Sequence, residues 1–237
     1  MNDHITVRSP KHRTVSAPVL VDVSAALAWV GVGAIGIAMG SMPGTMGLTL
    51  PTFVAVWVLM MAAMMLPAAA PIAGEVDPWP SFVVGYLVVW AAVAIPVFGV
   101  ARVADHLVLD HPNGARGLGV ALLTACGVYE LLPVKRHCLE RCRRPPDPSA
   151  TAARAGTRHG AKCVRSSWAL MLTMVVFGLM NLVAMVAIAV IVFLEQRSRD
   201  GAKVARVVGV VALGLACAVV FVPWLAPGVR AHAMGSM

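Results

Sequence analysis

The sequence carries few of the features expected of a soluble enzyme. Charged residues make up 13% of its 237 residues and aromatic residues 6%, whereas about a quarter of a soluble domain is charged. There is no Gly-rich phosphate loop, no nucleophile elbow and no His-Glu-x-x-His motif. None of the seven histidines falls within an apolar run, which argues against a membrane metallo-oxygenase. We therefore predict that the protein is not an enzyme.

Apolar residues dominate the composition instead. They make up 59% of the chain, mean hydropathy is +0.81, and they occur in runs long enough to cross a bilayer as helices, which takes about 20 residues. This pattern predicts an all-α fold, a polytopic membrane bundle of about six transmembrane helices in residues 19–226, between a basic tail (1–18) and a short C-terminal tail (227–237). The six predicted spans are Val19 to Gly40, Leu50 to Ala73, Phe82 to Ala104, Leu118 to Val134, Trp168 to Leu194 and Val204 to Leu225.

The basic residues indicate an orientation in the membrane. The formal net charge is +8, and with a cytoplasmic N-terminus thirteen of the 19 Lys and Arg residues fall on the cytoplasmic side of the six-span arrangement. This distribution follows the positive-inside rule and favours the lipid bilayer, not nucleic acid, as the partner of the positive charge. We predict a multi-pass protein of the bacterial cytoplasmic membrane.

A predicted cytoplasmic loop, 135–167, contains three of the five cysteines and two of the seven histidines. Cys138 and Cys142 are four residues apart, as are His159 and Cys163, and residues at that spacing lie on one face of a helix. Brought together, the two pairs would supply three sulfurs and an imidazole, a set that suits Cu(I) or, as a less favoured choice, Zn(II). His137 is an alternative to His159, and the cysteines could also be small apolar packing residues.

Methionines suggest a path for the same kind of metal. Met60 and Met64 form an i,i+4 pair in the second predicted span, Met61 and Met65 form another, and thioethers select Cu(I) over hard cations. A methionine cluster at the outer end of the first span (Met39, Met42 and Met46) would give this path an entrance. The alternative is that the methionines fill gaps between helices.

Two polar residues lie inside predicted spans. Glu130 is a functional candidate because intramembrane carboxylates are costly to keep, or else it pairs with Lys135 or Arg136 near the membrane surface. Asn181 is either a hydrogen-bonding link between helices or a ligand on a transport path.

Several motifs resemble those of a bacterial family of predicted metal-binding integral membrane proteins, a domain of unknown function. They are Trp57-Val-Leu-Met60-Met-Ala-Ala-Met64-Met65-Leu-Pro67, Gly85-Tyr86 with Trp90, the stretch from Gly127 to Arg143, Gly156-Thr-Arg158-His159-Gly160, Trp168-Ala-Leu-Met171 and Gly178-Leu-Met180-Asn181. The resemblance implies a metal-binding membrane protein. Family members typically carry two further cysteines before the tryptophan, where this chain has Ser166 and Ser167.

Two functions are consistent with these features. The first is an integral membrane protein that binds or transports a soft transition metal, with copper as the leading candidate. The second is a non-catalytic membrane anchor or assembly subunit of a larger complex, with a membrane or soluble protein as its partner. The metal content of the purified protein distinguishes them.

Overall fold

A computed structural model describes residues 16–39, 44–45, 47–147 and 149–229, and in these residues the regular structure is entirely helical. Most of the two predicted tails, residues 1–15 and 230–237, lies outside this range. The elements are α1 (Ser16–Met39), α2 (Leu50–Ala73), α3 (Trp79–Asp110), α4 (Pro112–Leu131), α5 (Pro133–Cys142), α6 (Ala152–Phe177), α7 (Leu182–Arg197) and α8 (Gly201–Phe221), followed by 3-10 turns at Pro223–Leu225 and Pro227–Val229.

The all-α membrane class is confirmed. Within the described residues, four helices (α1, α2, α3 and α8) are long and apolar enough to cross a membrane, and the bent pair formed by α4 and α5 would make a fifth span. The fourth predicted span does not run straight into the loop after it, because the chain turns by 71° between Leu131 and Pro133.

Contacts between helices give the direction of each one. Gly74 at the end of α2 lies against Pro18 at the start of α1, so these two helices are antiparallel. In the same way, Arg116 Nη1 at the start of α4 donates to the carbonyl of Val220 at the end of α8 (3.5 Å). The starts of α1, α3, α6 and α8 therefore share one end of the bundle with the ends of α2, α4 and α7. We call this end, which carries Cys138, Cys142 and Cys163, the thiol side.

The predicted fifth span, Trp168 to Leu194, is not a single helix, and this expectation was wrong. Helix α6 ends at Phe177, and Gly178 adopts φ +93°, a left-handed conformation that only glycine adopts at little cost. Asn181 then joins the two helix ends, because its Nδ2 donates to the carbonyl of Phe177 (3.1 Å) and its Oδ1 accepts from the backbone N–H of Ala184 (3.2 Å). The chain folds back as a helical hairpin.

Both legs of the hairpin reach the thiol side. Gln196 Nε2 at the end of α7 lies 3.3 Å from Cys163 Sγ on α6, although 33 residues separate them. At 1.5 Å of rise per residue, each leg extends about 20 Å into the bundle. The hairpin therefore places the charged segment that begins at Arg197 beside the cysteines and not across the membrane from them.

Candidate metal centre

Pro133 determines the direction in which helix α5 leaves α4. Pro133 disfavours helical backbone in the residue before it, and Leu132 is extended at φ −69° and ψ 144°, so α5 restarts in a new direction. Its buried residues are Lys135, Leu139 and Cys142, spaced four and three apart, which is one helical stripe. Because of this break, α5 is oriented so that the ammonium of Lys135 and the thiol of Cys142 face the bundle.

Helix α6 is held close to α3 by glycines on both helices. A Cβ atom on Gly156 would lie 2.0 Å from the carbonyl oxygen of Phe82, and one on Gly85 would lie 2.2 Å from that of Ala153. Real Cβ atoms do not approach so closely, so these positions require glycine for backbone contact. The close crossing brings the Tyr86 side chain to Cys163.

Cys163 lies at the centre of this contact and is fully buried. Its sulfur receives the hydroxyl of Tyr86 (3.2 Å) and the side-chain amide of Gln196 (3.3 Å). Burial raises the pKa of the Cys163 thiol, and the two donors directed at its sulfur partly oppose this shift by stabilising the thiolate, the form that binds metal. Neither Tyr86 nor Gln196 was assigned a role from the sequence.

Cys142 approaches the same turn of α6 from α5. Its Sγ donates to Ser166 Oγ (3.5 Å), and that hydroxyl donates in turn to the carbonyl of Cys163 (2.8 Å). The two thiols are close enough to interact electrostatically. Ser166 therefore links the thiol of Cys142 on α5 to the main-chain carbonyl of Cys163 on α6.

Cys138 faces a different environment, although it is one turn from Cys142. It lines an open cleft of about 600 Å³ with His137, Arg141 and Trp168. Tyr129 closes one wall: its ring packs edge-on against that of Trp168, and its hydroxyl lies 3.9 Å from Cys138 Sγ. The cleft makes Cys138 the most accessible of the three thiols on the thiol side.

His159 lies one turn before Cys163 and packs between aromatic rings. Its ring centroid is 5.8 Å from that of Phe82 and 5.9 Å from that of Tyr86. Burial, with the ammonium of Lys162 as a smaller cause, lowers the pKa of His159 to about 4. The imidazole is therefore neutral at pH 7, which is the form that binds metals.

The methionines of the second span are buried. Met60, Met61, Met64 and Met65 are all at most 2% exposed and belong to one apolar core, which also contains Met171, Met174, Met180 and Met185 from α6, the hairpin turn and α7. Met64 also lines a smaller cavity beside α7. Of the outer cluster, Met42, Met46 and the Met39 side chain lie outside the described part of the chain.

A buried ion cluster lies next to the thiols. Lys135 Nζ is 2.6 Å from Glu130 Oε1 and 2.7 Å from Glu195 Oε2, and it also donates to the carbonyl of Ser166 (2.7 Å). The predicted pairing of Glu130 with Lys135 is therefore present, but deep in the protein and not at its surface. Glu195 was missed, and the only sequence signal for it is a Glu-Gln pair at the end of an apolar run.

The described residues contain no group of three or more His, Cys, Asp and Glu side chains arranged to hold a metal ion. The structure brings Cys142 and Cys163 together, puts His159 on the neighbouring turn, and leaves Cys138 in its own cleft. This donor set suits an ion that accepts few soft ligands better than one that requires a closed tetrahedral shell.

A helical membrane bundle with buried thiols on one side and a thioether-rich core has the features of a soft-metal-handling membrane protein. Residues 54–219 match the PpoB2 family, described as copper chaperone, and the chain belongs to that family. The matched region runs from α2 to α8 and contains every cysteine of the chain. No curated protein and no solved structure matches the chain.

Proposed function

We propose that the protein binds Cu(I) within the membrane bundle at the thiols of Cys142 and Cys163 and exchanges it with a partner through Cys138. The observation that carries the proposal is that Cys142 and Cys163 are both buried and close enough to interact electrostatically, in a chain of a copper chaperone family. Thiolates are soft ligands that select Cu(I).

The arrangement of the three cysteines supports stepwise transfer. Cys138 lines the open cleft, Cys142 is one helical turn farther along α5, and Cys163 is buried behind it with two hydrogen-bond donors on its sulfur. A donor ligand on a partner could reach Cys138 first, after which the ion would move inward by exchange of one thiolate for the next. The methionine core supplies further soft ligands deeper in the bundle.

The donor set favours copper over zinc. A structural Zn(II) site is almost always closed by four ligands, and no group of three or more His, Cys, Asp and Glu side chains that could hold a metal was found in the described residues. Two thiolates, with His159 or a methionine as a further ligand, are sufficient donors for Cu(I). The ion is cargo in this proposal and not a permanent cofactor.

The test is anaerobic Cu(I) titration of the detergent-purified protein against a competing chelator. We expect stoichiometric binding by the wild type, and losses in C142S and in C163S that exceed the roughly 10–100-fold effect of changing a residue outside the ligand shell. C138S should bind Cu(I) but accept it more slowly from a donor. The matched controls C126S and C217S, which change a buried and an exposed thiol in α4 and α8, should bind as the wild type does.

Two outcomes would contradict the proposal. Wild-type protein that binds no Cu(I) would favour the membrane anchor or assembly subunit, which co-purification with a partner would then identify. Unchanged binding in both C142S and C163S would move the copper site away from these thiols.

A further inference from the structure

A buried ammonium group stands between two carboxyl groups at the junction of α4, α5 and α7. The side chains of Glu130, Lys135 and Glu195 are at most 1% exposed. An ammonium has three N–H donors, and those of Lys135 go to Glu130 Oε1, Glu195 Oε2 and the carbonyl of Ser166. All three donors of Lys135 therefore have a partner.

The charges of this cluster do not balance when both carboxyl groups are ionised. One ammonium then faces two carboxylates, and the cluster carries a net negative charge away from water, which is unfavourable. Two carboxyl groups sharing a site avoid this cost when one of them keeps a proton. Binding one proton makes the cluster neutral.

The neighbouring groups do not supply the missing positive charge. The guanidinium of Arg143 directs its hydrogen bonds to the carbonyl oxygens of Glu195, Gln196 and Ser198 at the end of α7. The thiols of Cys126 and Cys163 also interact electrostatically with the cluster, but ionisation of either would only add negative charge.

Each carboxyl group also has one oxygen available. Glu130 Oε2 and Glu195 Oε1 are buried and have no hydrogen-bond partner, while the other oxygen of each group binds Lys135. We propose that Glu130, Lys135 and Glu195 form a proton-binding site that holds one proton at neutral pH, on a free oxygen of Glu130 or Glu195. This site is separate from the copper-binding thiols and does not depend on them.

Ser166 links the proton site to the thiols. Its carbonyl binds Lys135, while its hydroxyl accepts from Cys142 and donates to the carbonyl of Cys163. Loss of the proton leaves an uncompensated charge at the junction of α4, α5 and α7, and any resulting shift of Lys135 acts on the residue whose hydroxyl accepts from the Cys142 thiol. The cluster can therefore couple protonation to the geometry of the thiol side.

Infrared difference spectroscopy of the full-length protein tests this site, since the carbonyl stretch of a protonated carboxylic acid is separate from the carboxylate bands. We expect the wild type at neutral pH to show one buried carboxylic acid band that exchanges slowly in heavy water. Removing either acid restores a one-to-one ion pair, so the band should disappear in both E130Q and E195Q. The exposed Glu140 of α5 is the matched control, and E140Q should keep the band.

Replacing Lys135 should increase the carboxylic acid band instead of removing it. In K135M both carboxyl groups lose their counter-charge, and we expect the band area to roughly double as each takes up a proton. Absence of the band from the wild type would overturn the proposal, as would its persistence in both glutamine variants. Because absence of the band from the wild-type spectrum is enough to overturn the proposal, the test remains valid even when a variant does not fold.

Discussion

At the scale of single residues, Ser166 connects the two candidate sites. Its hydroxyl accepts from Cys142 Sγ at 3.5 Å, and its carbonyl binds the ammonium of Lys135. The resemblance noted from the sequence implies cysteine at this position in related chains. A hydroxyl is a poor ligand for a soft ion, so Ser166 adds no soft donor beside Cys142.

Introducing a thiol at this position should strengthen copper binding. In S166C a third sulfur would lie beside Cys142, and we expect the Kd for Cu(I) to fall by about tenfold or more, equivalent to about 1.4 kcal/mol. Chelator competition under reducing conditions measures the change. The control is T173C, which alters a buried hydroxyl on the same helix that donates to the carbonyl of Leu170. Equal Kd values for S166C and the wild type would show that Ser166 does not face the bound ion.

The sequence predicted the type of ligand at this site better than its arrangement. The i,i+4 spacing of Cys138 and Cys142 is helical, as expected, because both lie in α5. Their different surroundings depend on the bend at Leu132 and on the rings of Tyr129 and Trp168, which come from other parts of the chain. The spacing of two residues within one helix does not indicate which other parts of the chain pack against them. Glu195 was missed for the same reason, since its partner Lys135 lies 60 residues earlier.

At the scale of elements, the α6–α7 hairpin is the main difference from the predicted fold. The apolar run from Trp168 to Leu194 has the length of one long span, and hydropathy alone cannot distinguish this from two shorter legs. The local signals were present in Gly178 and Asn181, a left-handed glycine and a helix-capping residue. The first, second, third and sixth predicted spans each lie mainly in one helix, whereas the fourth extends past the end of α4 at Leu131 and includes the bend before Pro133.

The hairpin should depend on Asn181. Replacing it in N181A removes the N-cap of α7 and the donor to Phe177, and we expect the free energy of unfolding to fall by about 1–2 kcal/mol. N181D keeps the acceptor for the Ala184 N–H and should lose less. Reversible unfolding in mixed detergent micelles measures both variants.

N113A provides the control for this measurement. Asn113 lies at the exposed start of α4, where its side chain binds Arg116, and its replacement should change stability by no more than about 0.5 kcal/mol. A loss in N181A no larger than that in N113A would show that the hairpin turn does not need the cap.

At the scale of the whole molecule, the hairpin changes how charge is distributed between the two ends. The described residues carry nine Lys and Arg residues between Lys135 and Arg165 and four more between Arg197 and Arg206, all near the thiol side. On the opposite side are Arg102 and Arg116. This asymmetry is stronger than that of the six-span arrangement, and by the positive-inside rule we expect the thiol side to face the cytoplasm.

Labelling with a membrane-impermeant thiol reagent tests this orientation in intact cells. Single reporter cysteines at two exposed positions, R199C on the thiol side and D110C on the opposite side, should behave differently. We expect D110C to react from outside and R199C to react only after permeabilisation, both relative to the unmodified parent. Labelling of both from outside would mean that the Trp168 to Leu194 segment crosses the membrane once, as hydropathy alone predicts.

The ion cluster also sets an order of events during biosynthesis. Glu130 and Lys135 are five residues apart and leave the ribosome together, so they can enter the membrane surface region as a neutral pair before α7 exists. Glu195 is translated 60 residues later and arrives as a second acid at an ammonium that is already paired. When Glu195 enters the bundle in its protonated form, the ion pair between Glu130 and Lys135 stays intact. The nascent chain then buries no net charge at any stage.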